Sequence, residues 1–468
     1  MSVAHRTGWY FVSSIGVPLI GLLTLPLYTT RLGPGEFGTF ALGSSLAAVV
    51  SATAGSVSML SLPAELNRYE GEERRRYVGS VLLLAVVGAL LSCLAVVAVY
   101  SAAAAAFDLE LLGNTATILA IVGALFGSLW AICVEIMTIE GRAKNYATTA
   151  ILQTVVNAVA VCVALFMFDD IDNALFWGFA GAGAVGMLGA MISLSGRFAF
   201  GGLRRWLPIA ARGGTAAVLA SLTESGKIAV ERSYVSLMVG AHQLGLLAHG
   251  QHYKNASMVF INAVSRGLVP TSLREAEVPQ PDFGVTLQFW VPMQVMVVGI
   301  TLGFALVGRE VLGLLTHGKF VEAAPYAVAM MLILLLQTMA KPHATLMLAR
   351  GRGHLHANLN TAAIVVALLW LFATVPFLGV WGAISSFGIQ TLVHRVAVYW
   401  AANRIHRLAF ADHWVIGGFI LTGLCMAADY GIDLGLAARV VLLLVLSLIL
   451  LWQIRTQLVL VLAYLKNR

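Results

Sequence analysis

Apolar residues run in blocks of about twenty, separated by short polar breaks, and the blocks start near residues 8, 37, 78, 114, 147, 174, 214, 245, 284, 324, 358, 380, 414 and 437. A block of that length crosses a hydrocarbon core of about 30 Å at 1.5 Å per residue. The pattern therefore predicts fourteen spanning helices. "LLWLFATVPFLGVWGAISSFGIQTLV" is too long for one helix, so a tight turn is expected from Phe377 to Val380. The first block, after "MSVAHRTGWY", is too long for a cleaved signal and reads as the first spanning helix.

Composition supports the membrane reading. The 468 residues are 59% apolar and 11% charged with mean hydropathy +0.87, against about a quarter charged in soluble domains. The net charge of +7 has a topological cause, because the basic residues gather in alternate loops. One set holds Arg68, Arg74, Arg75, Arg76, Arg142, Lys144, Arg197, Arg204, Arg205, Arg212, Arg274, Arg350, Arg352, Arg404 and Arg407, with Arg6, Lys466 and Arg468 at the termini. The other holds Arg31, Arg309, Lys319 and Arg439 beside Asp108, Glu110, Asp169, Asp170 and Asp172. Basic loops stay inside, which places both termini in the cytoplasm and the protein in the cytoplasmic membrane. Nucleic acid is not needed to explain the charge. Cys93, Cys133, Cys162 and Cys425 each lie within an apolar block and read as packing residues, not as disulfide or metal ligands.

The chain repeats itself. "LGPGEFGTFALG" (32–43) matches "VGAHQLGLLAHG" (239–250) at an offset of 207, with three glycines and an alanine coinciding. "EGRAKNYA" (140–147) matches "RGRGHLHA" (350–357) at an offset of 210. A duplication predicts an all-α polytopic protein of two pseudo-symmetric six-helix lobes, residues 1–200 and 214–403, related by an axis along the membrane normal. Residues 404–468 add two further helices. The joint at 201–213, with Arg204 and Arg205 beside Trp206, reads as a cytoplasmic interfacial linker or as a plain loop.

Charge at membrane depth costs about 2.5–3.5 kcal/mol per residue and usually faces a bundle interior or a wet cavity. It concentrates here in two neighbouring blocks. "TAAVLASLTESGKIAVERSYVSLMV" carries Glu224, Lys227, Glu231 and Arg232; the first three share a face and read either as a self-satisfied ion cluster or as functional. "GLLAHGQHYKNASMVFINAVSRG" carries His249, Gln251, His252, Tyr253, Lys254 and Asn255 within seven residues. Arg232 and Lys254, with few matching acids, point to an anionic ligand in a cationic cavity. Glu224, Glu231 and Glu135 are the candidates for ion coupling. Lys341 and His343 lie in a block expected to break at Pro342, and either line the same cavity or reach the inner surface. His354 and His356 have no ligand partners at metal spacing, and no GxSxG, phosphate-loop or HExxH motif is present. No metal site, cofactor or catalytic residue is expected, and the chain reads as no enzyme.

"LPLYTTRLGPGEFGTFALG", the "EGR" after the fourth block, and "GKFVEAAPYAVAMMLILLLQ" followed by "LARGRGHLHANLNTAAIV" resemble the polysaccharide transporters of the multidrug/oligosaccharidyl-lipid/polysaccharide exporter superfamily. "FLGVWGAISSFG" is similar to the small-residue stretch before their twelfth helix. The resemblance implies a Wzx-type flippase with two lobes around a central cavity. By alternating access it would move a polyprenyl-diphosphate-linked oligosaccharide to the outer leaflet for cell-surface polysaccharide assembly. In that reading Arg232 and Lys254, helped by Lys227 and Arg31, hold the diphosphate, and His249, Gln251, His252, Tyr253 and Asn255 meet sugar hydroxyls. Besides Arg31's contact with the diphosphate, a simpler role is an Arg31–Glu36 pair that pins the turn. The partners are the lipid-linked glycan, membrane lipids and a glycan polymerase. Two alternatives stand beside it, a lipid II flippase and, from another class, a membrane glycan polymerase or ligase.

The orientation is checked by single cysteines in a background without the native four. A membrane-impermeant thiol reagent added to intact cells is expected to label Asp170→Cys and to spare Arg197→Cys; the reverse pattern would invert the topology.

Overall fold

The computed structural model describes residues 3–59, 61–66, 68–107, 112–212, 214–278, 284–406, 413–432, 434–457 and 459. Asp108, Glu110, Arg407, Lys466 and Arg468 lie outside the described residues. The described chain is all helical, without strands: α1 (Val3–Thr29), α2 (Pro34–Met59), α3 (Leu62–Leu66), α4 (Gly71–Phe107), α5 (Asn114–Ile139), α6 (Ala143–Phe166), α7 (Ala174–Ser193), α8 (Leu203–Ala210), α9 (Gly214–Glu277), α10 (Gly284–Leu315), α11 (Ala324–Ala349), α12 (Gly353–Leu378), α13 (Val380–Asn403), α14 (His413–Ile432) and α15 (Leu436–Gln453). Nine described helices are long and apolar enough to cross a membrane, against fourteen expected segments. α9 and α13 fall outside because charged and polar residues interrupt them, and the apolar stretches counted in α1 and α14 are shorter, Leu19–Thr29 and His413–Ala428.

The chain forms two compact units, Met1–Gly245 and Leu246–Arg468. In the first, α7 packs on α5 and α6, α1 on α6, and α2 on α4 and α5. The short helix α8 docks on α4 and buries Trp206 against Tyr69 and Tyr77. Arg205 covers the same indole and pairs with Glu73 at 3.1 Å. The indole of the joint is thus spent on the protein itself, while Leu203, Leu207 and Ile209 stay half-buried. In the second unit, α13 packs on α11 and α12, and α10 on α11, α14 and α15. The expected turn after Phe377 is a single residue, Gly379, with φ 55°, between α12 and α13. Pro342 does not break its helix; α11 continues through it, as membrane helices tolerate an interior proline.

The second sequence repeat is also a structural one. After α5, Arg142 N–H donates to Met137 O (2.8 Å) and Gly141 N–H to Thr138 O (3.0 Å). After α11, Arg352 N–H donates to Met347 O (2.9 Å) and Gly351 N–H to Leu348 O (3.0 Å). Both glycines have φ 70°. These are the 6→1 and 5→2 bonds of a Schellman motif, in which a left-handed glycine lets the chain turn back and satisfies the last carbonyls. The same bonds recur 210 residues apart, so the shared "GR" encodes one helix-ending device twice.

The first repeat is used differently. Its central glycines, Gly38 of α2 and Gly245 of α9, pack on one another. A Cβ on Gly38 would lie 1.9 Å from Ala241 O, and one on Gly245 would lie 1.7 Å from Pro34 O. Only glycine admits such an approach. Gly240, which corresponds to Gly33, is where α9 leaves helical geometry, with φ 88° and ψ 163°.

Overpacking of this kind costs about 1–3 kcal/mol. Gly38→Ala and Gly245→Ala are each expected to lower the unfolding temperature in detergent. Gly35→Ala, whose Cβ would meet nothing within 4 Å, is expected to leave it in place. Equal behaviour of all three would refute the close contact.

Candidate functional site

In the first unit, the opening half of α9 runs beside α2. Ser56 and Ser221 hydroxyls meet at 2.5 Å, Arg232 reaches α2 ten or more residues earlier, and Gly38 meets Gly245 beyond that. α2 and α9 are therefore antiparallel neighbours along this whole stretch. Lys227 and Glu231, one helical turn apart, form an ion pair of 2.6 Å with side chains only 3% and 1% exposed. Glu224 is exposed instead, so the three residues expected on one face divide into a buried pair and a surface acid.

Arg232 occupies the next position round the helix. Its Nη1 donates to Ala41 O at 2.6 Å and to Ser44 Oγ at 3.4 Å. Ala41 thus gives Arg232 a neutral backbone acceptor where the sequence suggested none. A guanidinium has five donors, so these two bonds leave donors for other acceptors.

Arg31 and Glu36 separate. The Arg31 guanidinium pairs with Asp169, donates to Leu165 O at 2.7 Å, and covers the Phe166 ring at 5.5 Å. It fastens the α1–α2 turn to the end of α6. Glu36 sits at the third position of α2 and accepts the Gly33 N–H at 2.7 Å. That position favours a carboxylate through both the free N–H groups and the helix dipole, which explains why Glu36 turns away from Arg31. Glu135 is half-buried in α5.

In the second unit, the polar run 249–255 splits by helical face. His249 and Tyr253, four residues apart, point inward: Tyr253 Oη lies 2.9 Å from His249 Nε2, His249 stacks on Phe320 at 4.2 Å, and Tyr253 meets Phe304 at 5.0 Å. Gln251 is buried, while His252 and Asn255 are exposed. Lys254 is half-buried with its ammonium 5.3 Å above the Phe387 ring. Two of the residues expected to touch sugar, His249 and Tyr253, therefore form a packed pair, and His252, Lys254 and Asn255 carry the accessible chemistry of this segment.

His343, singled out in the sequence, lies in a cluster whose other members, Arg395 and Tyr399, were not. His343 of α11 is fully buried; Arg395 of α13 lies 3.5 Å from its Nδ1, and Tyr399 meets both, at 5.3 Å and 5.1 Å. The buried Arg395 is its strongest polar group. The signal was present in "TLVHRVAVYW", an arginine well inside an apolar block, but it was overshadowed by the denser run at 249–255.

The helical architecture is similar to that of several solved membrane proteins. The lipid II flippase MurJ in its inward closed conformation is similar with a TM-score of 0.70 at 12% identity, covering 96% of this chain and 99% of that one. An inward-facing multidrug resistance MATE family transporter of the MOP superfamily gives 0.63 at 14%, covering 84% and 98%. An outward-facing one gives 0.56 at 15%, covering 86% and 96%. At these identities the likeness is one of fold. No curated protein matches the sequence. Residues 3–274 match the polysaccharide biosynthesis protein family, and the chain belongs to it.

The buried ion pair gives a stability prediction. Removing one partner of such a pair costs about 3–5 kcal/mol, whereas replacing both with apolar residues is often neutral. Lys227→Ala and Glu231→Ala are each expected to lower the unfolding temperature strongly, and Lys227→Met with Glu231→Leu to recover most of the loss. Additive losses in the double variant would contradict a buried, self-matched pair.

Proposed function

We propose that the protein is a flippase that moves a polyprenyl-diphosphate-linked oligosaccharide across the cytoplasmic membrane by alternating access, supplying cell-surface polysaccharide assembly. The observation that carries this reading is the polar sequence of α9 in a chain of the polysaccharide biosynthesis family: Lys227, Glu231, Arg232, His252, Lys254 and Asn255 interrupt a helix among apolar ones. A chain retains such groups at membrane depth when a polar cargo passes. The two six-helix lobes, 1–200 and 214–403, supply the repeated scaffold, the basic loops lie inside with both termini, and a glycan polymerase is the partner that consumes the product.

The residues take distinct parts. Arg232 and Lys254 meet the diphosphate, the first as a donor fork and the second as a point charge. His252 and Asn255 meet sugar hydroxyls, and the buried Gln251 stays within the packing of the segment. Lys227 and Arg31, paired with Glu231 and Asp169, set the field rather than grip the ligand. Glu224 and Glu135, the less matched acids, are the candidates for ion coupling. The fold likeness to the lipid II flippase gives that substrate a place in the same test.

The test is reconstitution in liposomes with polyprenyl-diphosphate-linked oligosaccharides or with lipid II on the inner leaflet. Wild type is expected to expose the oligosaccharide lipid outside. Arg232→Ala and Lys254→Ala are each expected to slow this by about tenfold or more, in line with losing a charge-assisted contact. Unchanged rates in both folded variants would remove the cationic assignment. Preferred lipid II would favour the first alternative, and a longer or transferred glycan without translocation would favour the polymerase or ligase.

A further inference from the structure

At the end of the first unit opposite its arginine-rich loops, where α2, α5 and α7 begin, lies an open cavity of about 520 Å³. Ligand pockets span about 300–1,000 Å³. Its polar lining consists of Glu36, Thr39, Asn114, Thr115, Asp172 and Asn173, and the other lining residues are glycine and alanine. The composition is selective. Among the described residues, the lining holds no lysine, arginine or histidine to attract a phosphate and no aromatic or large aliphatic side chain to receive a lipid tail, and two carboxylates repel a phosphate.

The donor and acceptor inventory points the same way. Glu36 spends one oxygen on Gly33 N–H, and Asn173 spends its Nδ2 on Asp170 Oδ1 at 2.9 Å, leaving its own carbonyl oxygen as an acceptor. Thr39 donates to Gly35 O at 3.2 Å and keeps its lone pairs. Among the described residues, the side chains of Asn114, Thr115 and Asp172 form no hydrogen bond with the protein and face solvent. The site thus offers carboxylate and carbonyl acceptors, amide donors and hydroxyls that do both. Neutral vicinal hydroxyls, each one donor and one acceptor, match this set, and anions do not.

We infer that this cavity is a carbohydrate subsite that takes neutral sugar units of the glycan on the acidic-loop side of the membrane. The inference rests on the flippase reading above for its biological role. Asp172 and Asn114 make the principal contacts, with Thr115 and Asn173 beside them. Sugar units held here would divide recognition into two chemistries, one for the diphosphate and one for the glycan.

The test is saturation-transfer NMR on the full chain in nanodiscs, with methyl glucoside, methyl galactoside and methyl N-acetylglucosaminide as probes and inorganic phosphate and glucuronate as competitors. At least one glycoside is expected to receive saturation from wild type. In the Asp172→Ala, Asn114→Ala double variant its binding is expected to weaken by about tenfold, with a smaller loss in Asp172→Asn. Both positions are exposed, so an unchanged unfolding temperature is expected alongside. No saturation of any glycoside, an undiminished signal in the double variant, or displacement by phosphate would overturn the subsite. The assay involves no translocation, so its failure leaves the flippase reading standing. Sugar binding in a protein that moves no lipid would sink that reading instead.

Discussion

A charge surrounded by hydrocarbon has to be matched from within the chain, and this requirement shapes the protein more than any single packing contact. Among the described residues, the buried Lys227 and Arg395 and the half-buried Arg232 and Arg439 meet groups of different kinds. Lys227 takes Glu231 one turn along α9; Arg232 takes a backbone carbonyl of α2; Arg395 lies with His343 and Tyr399; Arg439 takes Glu310 at 2.5 Å and Leu306 O at 3.2 Å. The differences have consequences. A carboxylate neutralises its cation, whereas a carbonyl solvates it and leaves the charge in place. Arg232 meets a carbonyl oxygen of α2 beside the Lys227–Glu231 pair, so charge and backbone solvation lie together on this stretch of α9.

The duplicated sequence motifs solve backbone problems, and the functional chemistry is added to one copy. Gly141 and Gly351 end helices with the same pair of hydrogen bonds, and Gly38 and Gly245 let two helices touch backbone to backbone. At the polar run of α9, the first copy has Ser44, Ser45 and Ala47 where the second has Gln251, His252 and Lys254. Under the proposed function, motifs repeated twice and charged in one copy would suit a cargo with a charged head and a neutral glycan.

Much of the fold was legible because hydropathy and turn chemistry are local properties. The helix starts, the one-residue turn at Gly379 and the glycine-ended helices all follow from residues close in sequence. Side-chain partners were less legible because they depend on which helices meet. Arg31 lies five residues from Glu36 but pairs with Asp169, and Glu36 prefers the start of its own helix. His249 and Tyr253 looked like ligands by residue type, yet their four-residue spacing turns them together into the packing of the second unit. Arg395 went unnoticed since its partner His343 is 52 residues away in another helix. A proline in a membrane helix likewise misleads when read by the rules of soluble helices, as Pro342 shows.

The most direct measurement of the central claim is the sidedness of lipid-linked glycan in living cells. After depletion of the protein, the account predicts that the polyprenyl-diphosphate glycan disappears from the outer leaflet, as read by a membrane-impermeant lectin on intact spheroplasts, and accumulates behind the membrane until wild type is restored. Outer-leaflet glycan that persists unchanged through depletion would contradict it.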